Sequence, residues 1–121
     1  MAINPIVQGD TRVWDVVITD RNNAVVDITS DKVWFTMKLN ITDPDGTALP
    51  AVLGPIEALI TDGPAGKCQI TLESTDTTQL STSNYHYDFQ WNDTSAPAVV
   101  TTLDKGQVTV TDQVTIQTAA P

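Results

Sequence analysis

The sequence predicts an all-β protein, a single antiparallel β-sandwich of two sheets, and three observations carry that expectation. Apolar residues recur at every second position along most of the chain, and no stretch keeps an apolar 3.6 repeat for the ten or so residues an ordinary helix needs. Clusters of Asp, Asn, Gly and Pro separate the alternating runs: DRNN at 20–23, TSDK at 29–32, DPDG at 43–46 and DGPAG at 62–66. The length, 121 residues, suits one domain over 1–121 with one core, and a chain of that size needs neither disulfides nor a metal to fold.

Taken in order, MAINPIVQ has Pro5 and no alternation, and reads as a short extended N-terminal arm over residues 1–8. TRVWDVVIT sets Trp14, Val16 and Ile18 on one face as core and leaves Val13 and Val17 on the other. VWFTMKLN divides more sharply, with Val33, Phe35, Met37 and Leu39 inward and Trp34, Thr36, Lys38 and Asn40 outward. IEALIT offers Ile56, Ala58 and Ile60 to one face, and KCQITLES turns Cys68, Ile70 and Leu72 inward. STDTTQL, 74–80, fits a single helical turn capped by Ser74 or Thr75 that buries Leu80 as a crossover between strands.

NYHYDFQW, 84–91, places Tyr85, Tyr87, Phe89 and Trp91 on one face, where four large rings fill the space between two sheets, and either tyrosine has a hydroxyl to tie down the backbone. The last run has Val99, Thr101 and Leu103 on one side, then Val108 and Val110. Gly106 between them marks a bulge or a close backbone approach. TAAP closes a frayed C-terminus over 116–121.

Composition removes several classes of function. Fifteen acidic residues against six basic ones give a net charge of −9, which repels nucleic acid and anionic membrane surfaces. No apolar run approaches the roughly 18 residues that span a bilayer, and MAINPIVQGD lacks a basic segment followed by an apolar one, so the expectation is a protein made without a signal peptide.

Catalysis finds no complete set of groups. Cys68 is the only cysteine, which excludes an internal disulfide and a thiolate metal cluster, and its inward position makes it an inert small hydrophobe. His86 and Asp88 share a face, the minimum for a hydrolytic dyad, but no Gly-x-Ser-x-Gly elbow and no second histidine accompany them. In DPDG, Gly46 follows Asp45 at once and no bidentate Glu closes the loop, so Asp43 and Asp45 belong to a turn rather than to a calcium site. No cofactor, metal or catalytic residue is expected.

The order of these signals resembles a known family. QGDT at 8–11 precedes an apolar strand. VVDITSDKVWFTMK at 25–38 sets a short turn before a strand with Thr-x-Lys. Gly66 then leads into QITLESTDTTQL at 69–80, followed by NYHYDFQW and by VTTLDKGQVTVTDQVT at 100–115. From about Gln8 to Thr115 this is similar to the immunoglobulin-like domain at the N-terminus of phage baseplate upper proteins, which also occurs free-standing among tailed-phage virion genes. One departure is STSN at 81–84, where such domains carry a Gly shortly before the Tyr-x-Tyr strand.

The resemblance implies an immunoglobulin-like sandwich and a non-enzymatic structural protein located in the virion. Its partners would be other virion proteins of the tail, baseplate, neck or capsid, with self-association into a homo-oligomer in the particle. A capsid decoration protein, trimeric at capsomer junctions, is the alternative placement. Candidate interface residues are Val13 and Val17, apolar and outward, together with Trp34, which either meets a partner or seals the second sheet. A carbohydrate- or host-surface-binding sandwich is a further reading, and it requires exposed rings on one wet face, of which Trp34 is the best placed.

Overall fold

Alternation of large apolar and polar side chains builds the two sheets, and a computed structural model describes them over residues 5–20, 22–93 and 99–112. The strands are β1 (Ile6–Val7), β2 (Arg12–Val17), β3 (Lys32–Lys38), β4 (Val52–Glu57), β5 (Leu59–Asp62), β6 (Lys67–Leu72), β7 (Asn84–Asp93) and β8 (Val99–Thr111). A helical turn, α1 (Ser74–Thr77), lies between β6 and β7. One sheet has five strands in the order β1-β8-β7-β3-β4, and the other has three, β2-β6-β5. All pairings are antiparallel except β1 with β8. The chain is therefore an all-β, two-sheet protein, and among the described residues no helix is long and apolar enough to cross a membrane.

The inward residues of both sheets form one core. Val16, Ile18, Val33, Phe35, Met37, Cys68, Ile70, Leu72, Tyr85, Tyr87, Phe89, Val108 and Val110 are all buried. Trp14, Leu39 and Trp91 pack against that core from half-buried positions. Trp14 crosses between the sheets, 5.1 Å from Phe35 and 6.1 Å from Phe89 between ring centroids. It stands on β2, an edge strand, so one flank stays open and the Arg12 guanidinium lies 5.6 Å from the ring. Trp91 keeps its indole N–H toward the rim, donating to Asp31 Oδ2 at 3.0 Å.

Four expectations change. Residues 6–8 are not an arm: Ile6–Val7 pair in parallel with Val110–Thr111, Ile6 is 0% exposed, and the Gln8 N–H donates to Thr111 at 3.0 Å. An apolar side chain that completes the core and two backbone groups that close a sheet edge gain more by docking than by staying extended. Residues 1–4 of the expected arm, and the expected frayed end at 116–121, lie outside the described residues.

IEALIT is divided between the sheets. Glu57 ends β4, Leu59 begins β5, and buried Ala58 makes the step with its N–H bonded to Val33 O at 2.8 Å. The bulge in β8 falls at Leu103, where the register passes from Phe89↔Asp104 to Gln90↔Thr102, and not at Gly106. Gly106 instead meets a side chain, because a Cβ there would stand 3.3 Å from the Tyr87 hydroxyl oxygen. The helical turn forms and Leu80 is buried, but Ser74 lies inside the turn, and Glu73 at the cap makes no side-chain bond.

Candidate functional site

The polar positions of β3 and β7 all project from the outer side of the five-stranded sheet. Register sets them in rows: Trp34 beside Gln90, Thr36 beside Asp88 and Lys105, Lys38 beside His86 and Gln107. These central strands have neighbours on both sides, so their backbone groups are engaged in the ladders and only side chains face outward. The connection from Leu39 to Ala51 rises beside them and turns the face into a groove of about 710 Å³, with Ile41, Asp45 and Pro55 on that flank.

Lys38 holds this wall in place. Its ammonium donates to Asp43 O at 2.6 Å and pairs with Asp45 at 2.8 Å. The side chain of Lys38 is largely buried whereas that of Asp45 is mostly exposed, so the lysine is the fixed partner. From below, the Tyr85 hydroxyl donates to Pro50 O at 2.7 Å and accepts from the Ser81 N–H at 2.8 Å, which joins the end of that connection to the segment before β7.

At the far end of the groove, Trp34 is half-buried and Lys32 Nζ lies 6.0 Å from its ring while pairing with Glu57 at 3.0 Å. Burial raises the pKa of Asp88. The hydrogen bond from Gln90 Nε2, 3.3 Å away, opposes that shift, as does Lys38, and Asp45 adds to it. Asn92 Oδ1 is buried and has no hydrogen-bond partner among the described residues.

His86 lies on the groove floor with Asp88, and Asp88 accepts from Gln90 rather than from His86. Among the described residues, no three His, Cys, Asp or Glu side chains gather where a metal would sit. Cys68 faces the core at 1% exposure, and burial pushes its thiol up to about 11, which keeps it protonated and unreactive at neutral pH.

The three candidate interface residues do not share a surface. Val13 and Val17 project from the outer side of the three-stranded sheet, 50% and 51% exposed, and Leu59 joins them at 66%. Between them Gln69 donates to Asp15 at 3.0 Å. Trp34 is on the opposite side of the molecule, in the groove. Alternation identified each of these as outward, but which sheet each strand joins is a non-local fact that alternation does not carry. Leu59 was missed for that reason, because IEALIT reads as one strand with its even-numbered side inward.

Comparison with known proteins finds no family model that matches the chain and no curated protein that matches it.

Proposed function

We propose that this chain is a non-enzymatic structural protein of a tailed-bacteriophage virion, an immunoglobulin-like domain that docks on another virion protein of the tail, baseplate or neck. The ordered resemblance in the sequence motivates the virion assignment. The strand orders β1-β8-β7-β3-β4 and β2-β6-β5 support the immunoglobulin-like part. So does Tyr85, whose hydroxyl reaches back to Ser81 after the crossover turn as a corner tyrosine does.

One observation carries the docking reading. On the outer side of the small sheet, Val13, Val17 and Leu59 are each half or more exposed, and β2 and β5 are both edge strands. Apolar side chains beside unpaired strand edges gain free energy when another protein covers them. A capsid-surface decoration role would use the same face with a different neighbour. An arm built from residues 6–8 is not part of the account, because those residues complete the sandwich.

Gold labelling of particles of the phage that encodes this chain, with an antibody raised against it, tests the proposal. Label at the tail end or neck is the expected result. Label spread over the head replaces the adaptor with the decoration protein. No label on intact or detergent-opened particles overturns the virion assignment.

A further inference from the structure

We propose that the groove on the outer side of the five-stranded sheet is a binding site for a neutral oligosaccharide. The inference stands apart from the docking reading, since the groove and the Val13–Val17 face lie on opposite sheets.

The chemistry of the lining selects the ligand. Its floor is built mainly on β3 and β7, whose backbone groups are committed to neighbours on both sides, with Lys105, Gly106 and Gln107 of β8 along one margin, so a peptide cannot add itself as a strand across the floor. Recognition must come from side chains. Those in the lining include the amides of Gln90, Asn92 and Gln107, the Asp88 carboxylate, the His86 imidazole and the Thr36 hydroxyl, with Trp34 beside them. Amides and carboxylates have two polar atoms each and match the paired hydroxyls of a sugar, while an indole takes the apolar C–H face of a pyranose.

Charge narrows the choice further. Lys38 and Lys105 are offset in the lining by Asp45 and Asp88, which leaves no excess of either sign to attract an acidic glycan or a polyamine. Asn92 Oδ1 is the one buried side-chain polar atom among the described residues with no partner, and it belongs to this lining. A buried acceptor left unpaired costs free energy, and a ligand hydroxyl donating to it removes that cost.

Length argues for several sugar units. The outward positions of β7 that line the groove run from His86 to Asn92. That is about 20 Å at roughly 3.4 Å per residue, room for a row of pyranose rings rather than one.

The test is a two-dimensional amide NMR titration of the whole chain with cellohexaose, maltohexaose, laminarihexaose, mannohexaose and chitohexaose, each up to about 10 mM to reach Kd values weaker than millimolar. The expected result is saturable shifts with at least one hexasaccharide, in the side-chain amides of Gln90, Asn92 and Gln107 and the indole N–H of Trp34. The matching monosaccharide should bind about tenfold or more weakly. Trp34→Ala and Gln90→Ala should each weaken binding about tenfold or more. Gln90→Ala guards against a folding defect in the tryptophan variant, because an unchanged amide spectrum shows that the sheet is intact. Absence of saturable shifts with all five sugars overturns the proposal. So do shifts that map to Val13 and Val17, or shifts that survive both substitutions.

Discussion

The two outward faces of this sandwich are built by the same alternation and differ in what lies beside them. The small sheet has three strands, two of them edges, and among the described residues Val13, Val17 and Leu59 stand half or more exposed on its outer side. The large sheet has its polar residues on central strands, and the connection after β3 makes a wall, so similar outward positions become the floor of a groove. Exposed apolar side chains such as Val13, Val17 and Leu59 gain free energy through buried area, which suits a protein partner. A polar groove with engaged backbone gains it through directed hydrogen bonds, which suits a small ligand. The contrast teaches that outward alternation names only candidates, and neighbouring elements decide what kind of contact each makes.

Both faces rest on one aromatic cluster, and removing its centre should abolish the contrast. Phe35 is 0% exposed and lies 5.1 Å from Trp14, 4.9 Å from Phe89 and 6.2 Å from Tyr87. Phe35→Ala should cost about 3–5 kcal/mol, measured by urea unfolding. Hydrogen-exchange protection in β2 and β7 should fall together, since Trp14 ties the small sheet to the large one. Protection lost in only one sheet would show that the faces are supported independently.

A gentler change should separate them. Tyr85→Phe keeps the buried ring and removes the hydroxyl that bridges Ser81 and Pro50, leaving two backbone groups without that partner. The expected loss is about 1–3 kcal/mol. The wall ends at Pro50, so exchange should speed up from Ile41 to Ala51 while β2 and β6 stay protected. Equal loosening of the small sheet would mean that the wall is not an independent part of the groove.

Much of this was legible in the sequence, for a simple reason. Phe35, Met37, Tyr85, Tyr87 and Phe89 sit on strands whose alternation is local, so period two alone turns them inward. Three features were hidden because they depend on contacts that strand alternation does not encode. Ile6 finds its partner in Val110, near the other end of the described chain, and nothing in MAINPIVQ encodes that contact. The step at Ala58 between sheets preserves the inward side of Ile56 and Ile60, so the pattern runs through it unmarked. The groove needs Lys38 to catch Asp45 across a loop, and DPDG by itself announces only a turn.

Acidity offers a probe of the groove alone. Burial holds the Asp88 pKa above its ordinary value in the folded chain, so its contribution to stability is present below the unfolded pKa, about 3.9, and is lost as pH rises through the folded value. Relative to wild type, Asp88→Asn should therefore gain stability between acid and neutral pH, and the two urea midpoints compared at both ends check it. A gap that does not move with pH would show that Asp88 is fully solvated and that the groove floor is wetter than the described geometry. Val13 and Val17 lie on the other sheet, away from Asp88, so Val13→Thr and Val17→Thr should leave that pH profile unchanged.

Those valine variants make the smallest change in stability and the sharpest division between the faces. Threonine keeps the β-branched shape that an exposed strand position favours and replaces one methyl by a hydroxyl, so each variant should stay within about 0.5 kcal/mol of wild type. Desolvating two added hydroxyls beneath a partner without new hydrogen bonds is costly, so a particle or assembly that covers this face should bind the double variant far more weakly. Sedimentation with particles, or self-association of the free chain, measures that loss. Full occupancy by the double variant would move the docking surface off the small sheet, and binding that then failed in Trp34→Ala would place both partner and ligand on the groove side, ending the division of labour between the two faces.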